Sequence, residues 1–325
     1  MISPIKFIKK KRDKVVLLER VKIDSIENKS INKEQWTSIK DKFPYLYPNI
    51  EDANFAQRIS EKKEFNDTKY DGAIHDVTSH AEKICNKKFE LAPHQQFVKN
   101  FLSQETPYNS LLLYHGLGSG KTCTAIGVAE EMRSYMKQIG SNKSIIVVAS
   151  PNVQENFKLQ LFDPSKLELV DGFWNIKNCV GNVFLNEVNP MKAKNISKEK
   201  IISDIQKIIN NYYSFYGYTE FANLIIKNSN IDSNLVKNRE KYIRKQLNQI
   251  YSGRLLIIDE VHNIRISDDN KDKRVAQQLF KLVSEVNNLR LLLLSATPLY
   301  NTYKEIIWLM NIMNLNDNRS ITFIK

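Results

Sequence analysis

The sequence predicts an α/β fold with a doubly wound, mainly parallel sheet, and two observations support this prediction. Three short segments, at 144–150, 255–259 and 291–295, are apolar on successive residues and not on alternate ones. Strands of this kind are buried on both faces, as in parallel sheets. Amphipathic helical segments separate these strands, and such alternation is typical of a sheet covered by helices on both sides.

The predicted elements begin near Lys87. In chain order they are a helix at 93–105, a strand at 111–115, a helix at 123–138, a strand at 144–150, a helix at 153–162, strands at 255–259 and 291–295, and a helix at 301–313. Polar residues or glycines follow each of the four strands. Ligands of parallel sheets bind beyond the carboxyl ends of the strands, so the sequence directs the search for a site to that edge.

Two regions depart from this alternation. Residues 1–85 carry a basic run and a turn-rich aromatic stretch, and we interpret them as an N-terminal extension ahead of a lobe at 86–325. Between 163 and 250 the pattern loosens into amphipathic helices at 198–214 and 234–252 joined by Asn-rich connectors. This range is predicted to be a helical insertion on the sheet, not an independent domain.

Composition narrows the class of protein. The net charge of +12 is compatible with a nucleic-acid partner. However, 37 Lys against 11 Arg fits an AT-rich coding sequence equally well, so charge alone leaves both interpretations open. No apolar run approaches the roughly 20 residues that cross a bilayer, and the first residues lack the apolar core of a secretory signal. We therefore expect no membrane partner.

The three cysteines, Cys85, Cys123 and Cys179, have no metal-type spacing. An odd number without such spacing predicts unpaired thiols in a reducing, intracellular compartment.

A glycine-rich turn, HGLGSGKT at 115–122, lies between a predicted strand and a predicted helix. His115 occupies the first glycine position of the general phosphate-loop pattern, whereas the shorter x-x-x-G-x-G-K-T pattern is complete. Glycines let backbone N–H groups approach phosphate oxygens, and the helix directs its positive end at the same anion. The residues predicted to bind ATP here are Gly116, Gly118, Ser119, Gly120, Lys121 and Thr122.

Within this loop Lys121 is predicted to reach the β- and γ-phosphates, and the Thr122 hydroxyl to bind Mg²⁺.

The second segment with candidate catalytic residues is RLLIIDEVHN at 254–263, which places two carboxylates at the end of a predicted β-strand. Asp259 is predicted to hold Mg²⁺, and Glu260 to orient and deprotonate the attacking water. His262 could hydrogen-bond a group across the cleft. The predicted catalytic residues are therefore Lys121, Asp259 and Glu260.

GLGSGKT, DEVH and SAT, in this order, resemble motifs I, II and III of superfamily 2 helicases and translocases. LAPHQQ at 91–96 resembles the glutamine-bearing motif of that group, which implies that Gln95 reads adenine. ASPN at 149–152 resembles motif Ia, whose residues contact nucleic-acid phosphates. FYGYTEFAN at 215–223 takes the place of motif Ib, with a buried aromatic helix as the alternative interpretation. The implied nucleic-acid contacts are Ser150, Pro151, Asn152 and Thr219.

The longer matches, LLLYHGLGSGKTCTAI, IIDEVHNI and LLLLSATPLYNTYKEIIWLMNIM, resemble the helicases of nucleocytoplasmic large DNA viruses. That group includes the small subunit of the viral early transcription factor and nucleoside triphosphate phosphohydrolase I. The resemblance implies a RecA-like lobe that uses ATP and Mg²⁺. It implies nucleic acid as partner, DNA in preference to RNA, with a viral RNA polymerase or transcription factor subunit beside it. It also implies a location in the virion and in the host cytoplasm or nucleus.

In these helicases motif III couples nucleotide binding to the binding of a nucleic-acid strand. The resemblance implies that Ser295 and Thr297 hydrogen-bond His262. Capping of the next helix is the alternative. The resemblance also implies a second RecA-like lobe with an arginine finger, whereas only NLNDNRSITFIK follows residue 313. We therefore expect this chain to lack the second lobe and to hydrolyse ATP weakly. The alternative function is an ATP-gated interaction module or scaffold that recruits a polymerase or a partner lobe.

Overall fold

The computed structural model describes the chain in several stretches: residues 47–70, 72–73, 76, 78, 90–116, 118–230, 239–264, 270–298 and 303–322. The chain divides into two compact units, Met1–Lys62 and Lys63–Lys325. The boundary predicted after residue 85 remains a prediction. The basic run near the amino terminus lies outside the described residues.

The described part of the first unit is a short helical segment. Helix α1 spans Phe55–Ser60. Arg58 pairs with Asp52 at 2.6 Å, and the Lys62 ammonium lies 5.6 Å from the centre of the Tyr47 ring.

The second unit contains the strands, and five of them form one sheet. The strands are β1 (Ser110–Tyr114), β2 (Ile145–Val148), β3 (Leu167–Val170), β4 (Phe173–Ile176), β5 (Tyr213–Tyr216), β6 (Leu255–Ile258) and β7 (Arg290–Ser295). The central sheet has the order β1-β7-β6-β2-β5, and all of its pairs are parallel. Strands β3 and β4 form a separate antiparallel hairpin. The predicted parallel α/β fold is confirmed.

The helices of the second unit cover both faces of the sheet. They are α2 (Lys63–Asn66), α3 (Pro93–Phe101), α4 (Lys121–Gln138), α5 (Pro151–Leu161), α6 (Val183–Val188), α7 (Lys198–Tyr212), α8 (Tyr218–Asn228), α9 (Arg239–Tyr251), α10 (Asn270–Glu285) and α11 (Tyr303–Asn316). Within the described stretches, none of the helices has the length and apolar character needed to span a bilayer.

Successive residues of the central strands face opposite helical layers, which is why these strands are apolar throughout. Ile146, Ile258 and Leu293 pack into a core with residues of α8, α9, α10 and α11. The alternate residues Val147 and Ile257 are also fully buried, and α4 packs against β2 and β6. Burying one such side chain stabilises the fold by roughly 1.5–3 kcal/mol.

The range predicted as a helical insertion, 163–250, also contributes a strand to the central sheet. Strand β5 pairs with β2, with Tyr213 opposite Ile145. The sequence predicts a helix through Ser214 and, from Phe215, motif Ib or a buried aromatic helix, whereas YSFY forms a strand. Tyr and Phe fit a pleated, half-buried surface, and the free edge of β2 provides the partner that decides the conformation. The β3–β4 hairpin in the same range was not predicted.

The prediction of three unpaired thiols is wrong for two of them. Cys123 and Cys179 form a disulfide, with their Cα atoms 5.1 Å apart. The bond ties the first turn of α4 to the loop after β4. The two residues are 56 positions apart in a pattern without any known disulfide spacing, so sequence offered no signal. Cys85 lies outside the described residues.

Candidate functional site

The strand order brings the predicted site residues to one edge of the sheet. Tyr114 at the end of β1 is opposite Ser295 at the end of β7, and Ile258 of β6 is opposite both Leu293 and Val148. The carboxyl ends of parallel strands share an edge, so the segments that follow them are neighbours. Across the sheet these segments are the glycine turn, the SAT segment (residues 295–297), the carboxylate pair Asp259 and Glu260, the ASPN segment (residues 149–152) and the start of α8.

The phosphate loop (residues 115–122) joins β1 to the amino end of α4. Gly118 and Gly120 have φ angles of 78° and 80°, a left-handed conformation that side chains disfavour. Gly120 is the residue before α4, and Lys121 is the first residue of that helix. The Ser119 hydroxyl donates to the Gly116 carbonyl at 2.8 Å, and the Lys121 ammonium donates to the His115 carbonyl at 3.4 Å. The loop is therefore folded back on itself with a lysine at the helix start.

Gln95, predicted to read adenine, holds the loop in place. Its side-chain oxygen accepts from the Ala92 N–H at 3.0 Å, and its amide nitrogen donates to the Gly120 carbonyl at 3.3 Å. Its side chain is buried. Gln95 thus joins the start of α3 to Gly120, the residue of the phosphate loop that precedes α4.

A cavity of about 330 Å³ opens beside the loop, lined by His94, Tyr114, His115, Gly116 and Ser119. The rings of His94 and His115 meet edge to face with their centres 5.3 Å apart, and Tyr70 shares a 2.7 Å hydrogen bond with Nδ1 of His94. Burial lowers the pKa of His115, and the nearby His94 and Lys121 lower it further. The His115 imidazole is therefore kept neutral beside Lys121.

These residues fit a nucleoside triphosphate with its cation. The helix start, the two left-handed glycines and Lys121 present the positive groups that phosphates require. The half-buried Thr122 hydroxyl and the Asp259 carboxylate supply oxygen donors, which Mg²⁺ prefers.

Asp259 and Glu260 follow β6 in what we call the acidic turn (residues 259–262). The Asp259 N–H donates to the Val148 carbonyl at 3.0 Å, so the turn begins fixed to β2. Burial raises the pKa of the Asp259 carboxyl, whereas the hydrogen bond from the Glu260 N–H lowers it; the Glu260 charge raises it and the Lys121 charge lowers it. Lys121 and Asp259 are far apart in sequence, yet their charges interact across the sheet edge.

Glu260 adopts a left-handed backbone, with φ 46° and ψ 51°. Its N–H donates to Oδ1 of Asp259 at 2.8 Å. Its Oε2 atom is buried and accepts no hydrogen bond from the described part of the chain. Non-glycine residues in this conformation cost about 1–3 kcal/mol and concentrate at functional sites. The acidic turn thus fixes the backbone that carries the Glu260 carboxylate, whose Oε2 lies 3.2 Å from Nδ1 of His262.

His262 connects the acidic turn to the end of β7. Its Nδ1 atom shares a 2.9 Å hydrogen bond with the Ser295 hydroxyl and lies 3.2 Å from Oε2 of Glu260. Thr297 is exposed and reaches Ser295 through its backbone, whose N–H donates to Oγ of Ser295 at 3.1 Å. The structure therefore joins His262 to Ser295 through their side chains, and Thr297 to Ser295 through its backbone N–H.

The residues predicted to contact nucleic acid lie on the other side of the acidic turn. Ser150 is the residue before α5, and Pro151 and Asn152 begin that helix in exposed positions. Thr219 is exposed in the first turn of α8. Strands β2 and β5 are neighbours, so these two helix starts lie side by side at the sheet edge.

Sequence analysis missed the residue that joins these two sides. Tyr218, next to Thr219, donates its hydroxyl to the Asp259 carbonyl at 2.8 Å. The only sequence signal was its place beside a predicted contact residue. His94 and Tyr70, which lie beside the phosphate loop, were missed as well.

Comparison with known proteins agrees with this geometry. Residues 88–299 match the family described as "Type III restriction enzyme, res subunit". That range includes the phosphate loop, the acidic turn and the SAT segment.

Relatives of this chain are viral. It is 30% identical over 272 residues to "Putative ATP-dependent RNA helicase R563" of Acanthamoeba polyphaga mimivirus, covering 83% of this chain and 40% of that protein. It is 25% identical over 275 residues to "Putative helicase 087L" of Invertebrate iridescent virus 3, covering 82% and 24%. It is 24% identical over 341 residues to "Early transcription factor large subunit homolog" of African swine fever virus, covering 82% and 30%. The chain thus spans well under half the length of these relatives.

Proposed function

The chain belongs to the helicase family of the type III restriction enzyme res subunit, and from that membership we propose that it is the ATP-binding lobe of an ATP-dependent nucleic-acid helicase or translocase. The observation that carries the proposal is the strand order β1-β7-β6, which places the phosphate loop with Lys121 and the acidic turn with Asp259 at one edge of the sheet. A lysine for phosphates and a carboxylate for a cation at one sheet edge are what nucleotide hydrolysis requires.

Each residue has a separate role in this proposal. Lys121 and the loop N–H groups hold the β- and γ-phosphates, and Thr122 with Asp259 holds Mg²⁺. When bound, Mg²⁺ neutralises charge that develops on the phosphates. Glu260 orients the attacking water and accepts its proton at the carboxylate. Gln95 keeps the loop in register and is proposed to read adenine.

Ser150, Pro151, Asn152 and Thr219 are proposed to contact the phosphates of a nucleic-acid strand. Such contacts position a strand without reading its sequence, so affinity should fall steeply with salt. Through the hydrogen bond between His262 and Ser295, a bound nucleotide would change the affinity for the nucleic-acid strand, and a bound nucleic-acid strand would change the affinity for the nucleotide.

We further propose a role in early transcription of a large DNA virus, in the virion and in the host cytoplasm or nucleus, beside a viral RNA polymerase or transcription factor subunit. The name of the African swine fever virus relative supports this role. DNA is the expected nucleic-acid partner. RNA is tested with it, since the mimivirus relative is named as an RNA helicase.

The test is binding and turnover by the 325-residue chain at low salt. We define the linkage ratio from two dissociation constants of the same nucleic-acid strand. It is the Kd without nucleotide divided by the Kd with Mg²⁺ and a non-hydrolysable ATP analogue. The proposal expects nucleotide binding that Lys121→Ala abolishes, hydrolysis that Glu260→Gln abolishes, and a linkage ratio different from 1. Nucleotide binding with a ratio of 1 on DNA and RNA would contradict the motor and favour an ATP-gated interaction module.

A further inference from the structure

Tyr218 connects two parts of the sheet edge that are not adjacent. It is the first residue of α8, which follows β5, and its hydroxyl donates to the Asp259 carbonyl after β6 at 2.8 Å. Strand β2 lies between β5 and β6. Neighbouring strands are about 4.8 Å apart, so the side chain and its hydrogen bond together bridge two strand spacings, roughly 10 Å.

The carbonyl that Tyr218 binds belongs to the peptide bond that leads into Glu260. That peptide is held on its other side by the bond from the Glu260 N–H to Oδ1 of Asp259. Glu260 itself has the left-handed φ of 46°. A backbone in this conformation persists only where its surroundings fix it. The Tyr218 hydroxyl is therefore one of the groups that determine where the Glu260 carboxylate lies.

The other end of the connection is fixed to α8. The Gly217 N–H donates to the Glu220 carboxylate at 3.2 Å, which closes the first turn of the helix around Tyr218 and Thr219. Thr219 is exposed in that turn, whereas Tyr218 points to the acidic turn. A displacement of the helix start by a bound strand would therefore move the Asp259 carbonyl.

We propose that Tyr218 is a positioning residue that couples a nucleic-acid strand at the amino end of α8 to the Glu260 carboxylate, through its hydrogen bond to the Asp259 carbonyl. The inference rests on the proposed function and adds a second connection to the one between His262 and Ser295. Tyr218 reaches the acidic turn from the amino end of α8, whereas Ser295 reaches it from the end of β7.

The test compares Tyr218→Phe with Tyr216→Phe, which removes a hydroxyl two residues earlier on β5. Thermal unfolding is measured first, followed by nucleotide Kd, strand Kd and the linkage ratio. Tyr218→Phe is expected to bring the linkage ratio roughly 3- to 10-fold closer to 1, the effect of losing one hydrogen bond. The separate Kd values should stay within about twofold, and KM for ATP should stay unchanged while strand-stimulated kcat falls. Tyr216→Phe should resemble the wild-type chain in all of these.

A Tyr218→Phe chain with a wild-type linkage ratio would overturn the inference and leave the proposed function intact. A Tyr218→Phe chain that unfolds far below the Tyr216→Phe chain would show a purely structural role and also overturn it. A wild-type chain that binds no nucleotide or no strand would overturn the proposed function, and this inference with it.

Discussion

The side-chain amide of Gln95 donates to the carbonyl of Gly120 at 3.3 Å, and this bond fixes the residue of the phosphate loop that precedes α4. A Cβ atom added at Gly120 would lie 2.5 Å from the same amide nitrogen. Two constraints therefore require glycine at this position, the left-handed backbone and the close approach of Gln95. The adenine-reading role of Gln95 stays a prediction.

Alanine substitutions in the loop should separate these two constraints. Gly118→Ala meets only the backbone cost, since nothing lies within 4 Å of its added Cβ, and should lose about 1–2 kcal/mol of unfolding free energy. Gly120→Ala should lose more, because it also displaces Gln95. Gly116→Ala, which has neither constraint, is the control for stability. Urea unfolding measures all three.

The double variant Gln95→Ala with Gly120→Ala should regain part of the loss, because the clash disappears. Additive losses in this double-mutant cycle would mean that the Gln95 contact does not restrict Gly120.

Removing the Ser295 hydroxyl should uncouple nucleotide binding from the binding of a nucleic-acid strand. Ser295 is fully buried, and Ser295→Ala deletes its bond to His262 and the acceptor of the Thr297 N–H. We expect nucleotide Kd to change by less than about threefold while the linkage ratio approaches 1, since one or two hydrogen bonds are lost. Ser284→Ala, at an exposed serine of α10, is the matched control. A linkage ratio equal to that of the control would contradict the coupling role.

Asp259→Asn should stabilise the chain at neutral pH while removing Mg²⁺-dependent nucleotide binding. Burial raises the pKa of this carboxyl above its ordinary 3.8, so the folded chain binds the proton more tightly than the unfolded chain. Ionisation therefore reduces stability as pH rises from 3.8 through the folded-state pKa, and the loss is complete above it.

The amide keeps the acceptor for the Glu260 N–H, so the expected gain at pH 7 is about 0.5–2 kcal/mol. Chemical unfolding at pH 7 and below pH 3.8 measures it, and the gain should vanish at the lower pH. Equal stability of the two chains at pH 7 would show that the carboxylate is solvated or paired.

A buried ion-pair network between α4 and α6 should matter more than exposed pairs. Arg133 is 4% exposed and binds Glu130 at 2.7 Å and Glu187 at 2.8 Å. Burial would raise the pKa of Glu187, but its bonds to Lys137 and Arg133 outweigh this and lower it. Glu187→Gln should therefore lose about 1–3 kcal/mol at pH 7, and the difference should shrink as pH falls below the ordinary glutamate pKa.

The matched control is Glu155→Gln, which breaks an exposed pair with Lys158. It should lose less than about 0.5 kcal/mol. Equal losses in thermal unfolding of the two variants would contradict the importance of burial here.

Reduction of the disulfide between Cys123 and Cys179 should destabilise the lobe. A bond across 56 residues restricts the unfolded chain, by about 4 kcal/mol in the chain-entropy treatment. The wild-type chain should melt at a lower temperature with reductant, and Cys179→Ser should melt at that temperature with or without it. Titration of three free thiols in the denatured, unreduced chain would contradict the bond.

The sequence was sufficient for the parts of the fold whose residues have one possible environment. Ile257 and Leu292 lie in runs too apolar for a surface. Lys121 follows a glycine turn at a helix start, the pattern from which a phosphate site is predicted. The strand β5 was missed because Phe215 and Tyr216 fit a helix as well as a strand, and the neighbour that decides, β2, is some seventy residues away. Tyr218 was missed because its partner is the backbone carbonyl of Asp259, and a backbone group leaves no mark in the sequence.

The pairing of β1 with β7 has a consequence for synthesis on the ribosome. Ser110 pairs with Leu291, about 180 residues later, and in the described sheet β1 has no other neighbouring strand. At roughly 5–20 residues per second, the nascent chain carries β1 for about 10–40 s before its partner is made. During that interval Leu112 and Leu113 have no β-strand to pair with. A chaperone that covers apolar segments would act at this stage, before β7 pairs with the strand that leads into the phosphate loop.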